Sequence, residues 1–225
     1  MGNMNKDFTC LDRIQSRLQS IYGVDVPFSV SDFVITDEQL MAQLIDGDKV
    51  HLRERLLVRQ EGEDVDLSLF LHQDVVDGLI SPENDIPFTH DYIQNLCFAI
   101  EGISHFLYLV WRALQNRQVS MLELELQAEV DKYVLLLSLL DRQNKHTGIF
   151  GLREKLFENV QYDSELNDAE RFRYEEANYY AAKYCYQLES RFRSGEADRQ
   201  MKSELREFYR LPQHAKFSKI DSPVF

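Results

Sequence analysis

Residues 89–142 read THDYIQNLCFAIEGISHFLYLVWRALQNRQVSMLELELQAEVDKYVLLLSLLDR, and this stretch decides the fold class. At about 100° per residue, Gln94, Glu101, His105, Tyr108, Arg112 and Gln115 fall on one line, with Leu96, Ile100, Ile103, Phe106, Leu107 and Val110 among the apolar residues around them. A helix with so narrow a polar seam is surrounded on most sides, the seam itself being either its strip of contact with water or a set of groups with partners. Ser120 with Glu123 three residues on is a capping box, in which each side chain satisfies a backbone N–H of the other's turn. The pattern therefore predicts two helices, 89–117 and 120–142, joined tightly enough to be antiparallel neighbours. The longest apolar run, Leu96 to Trp111, contains Glu101, Gly102, Ser104 and His105. It is too short and too polar for a bilayer span and reads as a buried helix.

Towards the C-terminus, Gly148 and Gly151 mark a loop, 152–160 a short helix, and Asn167-Asp-Ala-Glu170 the capped start of a third long helix that stops at Gly195. Tyr174, Ala177, Ala181, Tyr184, Cys185, Leu188 and Phe192 form its apolar face, and Glu175, Glu176, Tyr179 and Lys183 point away. Its small residues 177, 181 and 182 would admit a close helix, including one from a second copy. A last helix spans about 197–209, and the tail from Pro212 to Phe225 is irregular in pattern, with Pro-Val-Phe at its end as a docking peptide or an ordinary terminus. Towards the N-terminus, Phe8, Leu11, Ile14, Leu18 and Ile21 give a helix over 4–22 closed by Gly23. Asp32 to Ile35 is extended, Thr36 and Gln39 cap a short helix ending near Gly47, and Leu56–Arg59 with Val65–His72 flank Glu-Gly-Glu-Asp as a β-hairpin.

The expected fold is α+β, predominantly α: a mixed lobe over 1–88 with a small hairpin, an antiparallel helical bundle over 89–210, and a tail over 211–225. Its 225 residues at 44% hydrophobic content suffice for a substantial core. Three cysteines, Cys10, Cys97 and Cys185, have no close spacing, which excludes a C-x-x-C site and fits a reducing compartment. Cys97 and Cys185 lie on apolar faces, as inert core thiols do. With no basic and then apolar leader at the start, the expected location is the cytoplasm. Thirty-eight acidic against 25 basic residues, a formal charge of -13, oppose binding to nucleic acid or an anionic membrane. Arg171, Arg173, Arg191, Arg193 and Arg199 alternate with glutamates, the pattern of a salt-bridged solvent face.

The second central helix carries the polar residues that need an explanation. Glu123, Gln127, Asp131, Ser138 and Asp141 share about 80° of arc and supply a solvent side, leaving Glu125, Glu129 and Lys132 on the opposite face beside Leu122, Leu136 and Leu140. Carboxylates facing a core need partners, and the seam of Glu101, His105, Tyr108 and Arg112 offers them, Glu129 to His105 or Arg112. Three readings follow: a structural network that fixes helix register, a divalent-metal site built from Glu101, His105, Glu125 and Glu129, or an acid/base pair of His105 oriented by Glu129. A Glu-x-x-His repeat of di-metal bundles is missing, since Glu101-x-x-x-His105 occurs once, and the His72, His90, His146 and His214 positions are element ends or loops. No catalytic fingerprint such as Gly-x-Ser-x-Gly, His-Glu-x-x-His or a phosphate-binding glycine loop is present. The expected function is thus a protein-interaction or regulatory module that binds a protein partner through its acidic helical body or an exposed strand edge at Leu56–Arg59, or pairs with a second copy, and the alternative is an enzyme or metal-binding protein with its site between the two central helices.

Overall fold

The computed structural model describes residues 8–44, 52–62, 64–80, 89–142, 151–158, 160–162, 164, 166–191 and 197–222. Among them are nine α-helices and a three-stranded sheet, which makes the fold α+β with helix dominant. The helices are α1 (Thr9–Tyr22), α2 (Glu38–Leu44), α3 (Gln73–Asp77), α4 (His90–Ala113), α5 (Met121–Arg142), α6 (Leu152–Phe157), α7 (Asp168–Arg191), α8 (Ala197–Arg210) and α9 (Gln213–Asp221). The strands are β1 (Val34–Ile35), β2 (Glu54–Glu61) and β3 (Asp64–Leu71). By contact the chain divides into two compact units, Met1–Arg17 with Asp25–Trp111, and Leu18–Val24 with Arg112–Phe225.

In the first unit the sheet order is β1-β3-β2, with β1 parallel and β2 antiparallel to β3. The hairpin forms because Leu56 and Val58 face Leu69 and Leu67 across the ladder, while Glu61 and Asp64 close it beside Gly62, whose φ of 66° only glycine adopts without strain. Phe33 follows a 3-10 turn at Val30–Asp32, and its carbonyl accepts from Leu69 N at 2.8 Å to start the parallel pairing. Asp37 caps α2 by accepting from the N–H groups of Gln39 and Leu40, so the cap lies one residue beyond the expected Thr36; Gly47 lies outside the described residues. Helix α4 reaches the sheet through Gly102. A Cβ there would stand 2.7 Å from Leu69 Cδ1 and 2.8 Å from Glu54 Oε2, so any larger residue would have to displace these two side-chain ends. Ring packing of Phe33 on Phe106, centroids 4.9 Å apart, continues the core.

Helix α4 is long and apolar enough to cross a membrane by length and composition, and most of that apolar stretch is buried within the chain. It stops at Ala113, short of the expected Arg117, because Leu114 to Arg117 are exposed and Asn116 turns to a φ of 53°.

The second unit is built on α5, which packs along α7. Both predicted capping boxes form: Glu123 N donates to Ser120 Oγ at 3.0 Å, Glu170 N to Asn167 Oδ1 at 2.9 Å, and Asn167 N to Glu170 Oε2 at 3.1 Å. The predicted apolar face of α7 is buried at Ala177, Ala181, Tyr184, Cys185 and Leu188. Of its small residues, Ala177 and Ala181 have no exposure and are covered within the chain, while Ala182 is half-buried.

The tail differs from the expectation of irregular structure. Residues Gln213–Asp221 form α9, begun by Pro212, and bury Lys216 and Ile220. Phe217 stacks on Tyr180 at 4.2 Å, and Gln187 Nε2 donates to the Ile220 carbonyl at 2.7 Å, so tertiary contacts stabilise a helix whose own sequence signal is weak. The closing Pro-Val-Phe lies outside the described residues.

Candidate functional site

Glu123, Gln127 and Asp131 occur at intervals of four along α5 and so stand one above another on one face. That face was expected to meet water. These three positions are enclosed, with Glu123 3% exposed and Gln127 and Asp131 not at all, while further along the same face Ser138 is half-buried and Asp141 exposed. Each of the three receives a donor from another part of the second unit. Arg112 Nη2 donates to Glu123 Oε1 at 2.7 Å, Lys216 Nζ donates to Gln127 Oε1 at 2.6 Å, and the Tyr22 hydroxyl donates to Asp131 Oδ1. Gln127 Nε2 links the ladder internally by donating to Asp131 Oδ1 at 2.7 Å.

The supports of these donors follow from local structure. Tyr22 is the last residue of α1, where Gly23 turns the chain at a φ of 59°. Arg206 and Arg210 of α8 donate to the free carbonyls of that helix end, Arg206 Nε to Ile21 at 3.0 Å and Arg210 Nη1 to Tyr22 at 2.9 Å. The Tyr22 ring stacks on Tyr209 at 4.1 Å. Arg112 Nη2 also reaches the Leu211 carbonyl at 3.3 Å, tying the start of α9 to the Glu123 pair. Lys216 Nζ lies 5.0 Å from the centre of the Phe208 ring, a cation–π contact.

Burial sets the protonation of this ladder. It lowers the Lys216 ammonium to about 7, Glu123 and Asp131 pulling it back up and Arg112 pushing it further down. Burial first, and then the Asp131 carboxylate, holds the Tyr22 phenol well above its ordinary value.

The opposite face of α5 holds a second set. Glu125 stands 3.6 Å from Arg173 Nε, and Glu129 accepts from Lys132 Nζ at 2.7 Å. The Tyr133 hydroxyl donates to Glu189 at 2.9 Å, and Arg153 Nε is 3.5 Å from the same carboxylate. Cys185 is fully buried nearby, its thiol raised by burial and then by Glu189 and Glu129, as an inert core thiol is. The expected need of Glu125 and Glu129 for partners is met by Arg173 and Lys132, while Arg112 takes Glu123. Arg173 and Arg191 pair with Glu125 and Glu204, carboxylates that are themselves buried, so the arginines of α7 do more than line a solvent face.

Of the residues singled out from sequence, Glu101, His105 and Tyr108 belong to the first unit, and Arg112, Glu125, Glu129 and Lys132 to the second. His105 and Tyr108 are buried, so the middle of the α4 seam is not a strip of contact with water, while Gln94 and Gln115 at its ends are exposed. Among the described residues, no group of three or more His, Cys, Asp or Glu side chains is placed to hold a metal ion. Sequence reasoning missed Tyr22 and Lys216. The signal for Lys216 was Pro212 as a helix start, with Lys216 and Ile220 four apart; nothing local marks Tyr22.

A different kind of surface exists at the far end of the hairpin. The register runs without interruption from Glu54 opposite Leu71 to Glu61 opposite Asp64, so among the described residues β2 is an eight-residue edge with no bulge and no proline. Glu61 and Asp64 flank a two-residue loop and form a hydrogen-bonded pair in such a hairpin, which aims the N–H and C=O groups of Glu54, Leu56, Val58 and Gln60 away from β3. The face carrying Leu69 and Leu71 is buried at its base and emerges as Leu56, Leu67, Val58 and Val65, the last two 52% and 46% exposed. On the other face Arg59 pairs with Asp66 at 2.7 Å in solvent.

No protein-family model matches the chain, and neither a curated protein nor a solved structure matches it.

Proposed function

We propose that the chain is a noncatalytic protein-interaction or regulatory module of the cytoplasm that docks a protein along the distal half of its β2–β3 hairpin. The observation that carries this reading is the unbulged β2 edge, whose outward backbone groups lie beside an emerging apolar face at Leu56, Val58, Val65 and Leu67. An extended segment added there gains main-chain hydrogen bonds from the edge and side-chain burial from the face. The buried residues of α5 favour the same reading, since Arg112, Lys216 and Tyr22 are directed at groups of the protein itself. The charge of -13 disfavours nucleic acid and anionic membranes as partners.

Photo-cross-linking tests the site directly. A photoreactive residue at position 58 is expected to give discrete protein adducts in the cells of origin, lost when Val65→Lys puts a charge on the apolar face. The same residue at Val160, an exposed position in the second unit, serves as the control. Adducts at 58 no stronger than those at 160 sink the reading.

A further inference from the structure

We infer that the occupant of the β2 edge is a second copy of the same edge, paired antiparallel about Val58. The inference rests on the hairpin being the docking surface and adds the identity of the partner. Two β2 strands related by a two-fold axis pair through their outward-facing residues, Glu54, Leu56, Val58 and Gln60, and this parity limits the possible registers.

Charge then selects among them. With Val58 opposite Val58 of the second copy, Leu56 meets Gln60, Leu57 meets Arg59, and Arg55 meets Glu61, twice by symmetry. Moving to the next register in one direction sets Val58 against Leu56 and Arg55 against Arg59. The next in the other direction sets Val58 against Gln60 and Arg59 against its own copy. Like charges directly opposite destabilise a strand pair, and opposite charges stabilise it, so the Val58-centred register is favoured over both neighbours.

The groups that would meet are placed for it. Among the described residues Arg55 has no ion-pair partner, and Glu61 is 73% exposed with Arg59 at 3.7 Å. Val58, half-exposed in one chain, would be covered by its symmetry mate, and the apolar strip of Leu56, Val58, Val65 and Leu67 would become continuous across four strands. Pairing of this kind also removes the long open edge that a lone hairpin leaves to nonspecific association.

The test uses charge reversal on the full chain, followed by sedimentation equilibrium over roughly 1 to 100 µM. The wild type is expected to dimerise in this range. Arg55→Glu and Glu61→Arg, each alone, place like charges opposite one another twice and are expected to weaken the dimer by about tenfold or more. An equimolar mixture of the two variants is expected to recover the wild-type mass, because each strand then meets its opposite charge at both positions. Recovery in the mixture cannot come from misfolded chains. A wild type that is monomeric up to the top of the range overturns the inference, as does a dimer that neither single variant weakens, or weakened variants that do not recover on mixing. If the chain is monomeric and position 58 still cross-links to another protein, the second copy fails as the occupant while the docking surface stands.

Discussion

Val58 and Val65 stand half-exposed at the end of the hairpin, whereas Gln127 and Asp131 in the middle of α5 are fully enclosed. Apolar side chains at the surface lose little when they are changed but leave something to be covered. Polar side chains in the interior are costly unless every one is matched. The two regions thus invert the usual placement in opposite senses. The hairpin leaves apolar side chains exposed at its end; the α5 ladder obtains its contacts within the chain, from Tyr22, Arg112 and Lys216. A mutation should therefore act on stability at the ladder and on association at the hairpin.

The largest effect is expected from Glu123→Ala. Arg112 is 1% exposed and would keep its charge in the interior with its carboxylate partner gone. Removing one member of a buried pair costs about 3–5 kcal/mol, readable as a shift in the urea midpoint. A loss under about 1 kcal/mol would mean that the ladder is solvated in practice and that the contrast with the hairpin is false.

The next effect appears in the pH dependence of stability. The folded-state value for Lys216 is lowered to about 7, while an unfolded lysine titrates near 10.4. Between these values the unfolded chain holds a proton that the folded chain lacks, so stability rises with pH, by at most about 1.4 kcal/mol per unit from this group. The useful window is about pH 7 to 8.5, since above it the raised Cys185 thiol and the Tyr22 phenol work in the opposite sense, the folded chain keeping protons that the unfolded chain loses. Urea titrations across that window should show the rise in the wild type and lose it in Lys216→Met. An equal slope in both proteins would show that the Lys216 ammonium is not desolvated as its burial implies.

The parts of this architecture that could be read from sequence are those whose determinants are local. Ser120 with Glu123, and Asn167 with Glu170, mark helix starts because each pair satisfies backbone groups within one turn. Alternation at Val65, Leu67, Leu69 and Leu71 identified a strand for the same reason. The face of α5 carrying Glu123, Gln127 and Asp131 was misread as solvent because periodicity reports residue type, and the donors that make burial tolerable come from Tyr22 and Lys216, about 90 or more residues away. Helix α9 escaped notice because its stabilising contacts, Phe217 on Tyr180 and Ile220 with Gln187, are tertiary. The edge of β2 was legible in the sequence as the strand edge at Leu56–Arg59, but not the reason it stays open, which is that β1 pairs with β3, a pairing that β1's two residues do not announce.

The smallest effect sharpens the comparison most. Val→Thr keeps the branched shape and strand propensity and adds one hydroxyl, so its cost reports how much desolvation the site imposes. At Val58, measured at sub-micromolar concentration to keep the chains apart, the change should lie within about 0.5 kcal/mol of the wild type. At Val130, which is fully buried on α5 between Gln127 and Asp131, the same substitution should cost about 1–3 kcal/mol. The new hydroxyl there can turn back to the carbonyl of Leu126, one helical turn earlier, and that local bond would set the lower end of the range. Equal costs at the two positions would mean that the end of the hairpin is as enclosed as the α5 core, and an enclosed β2 edge has no room for a second strand.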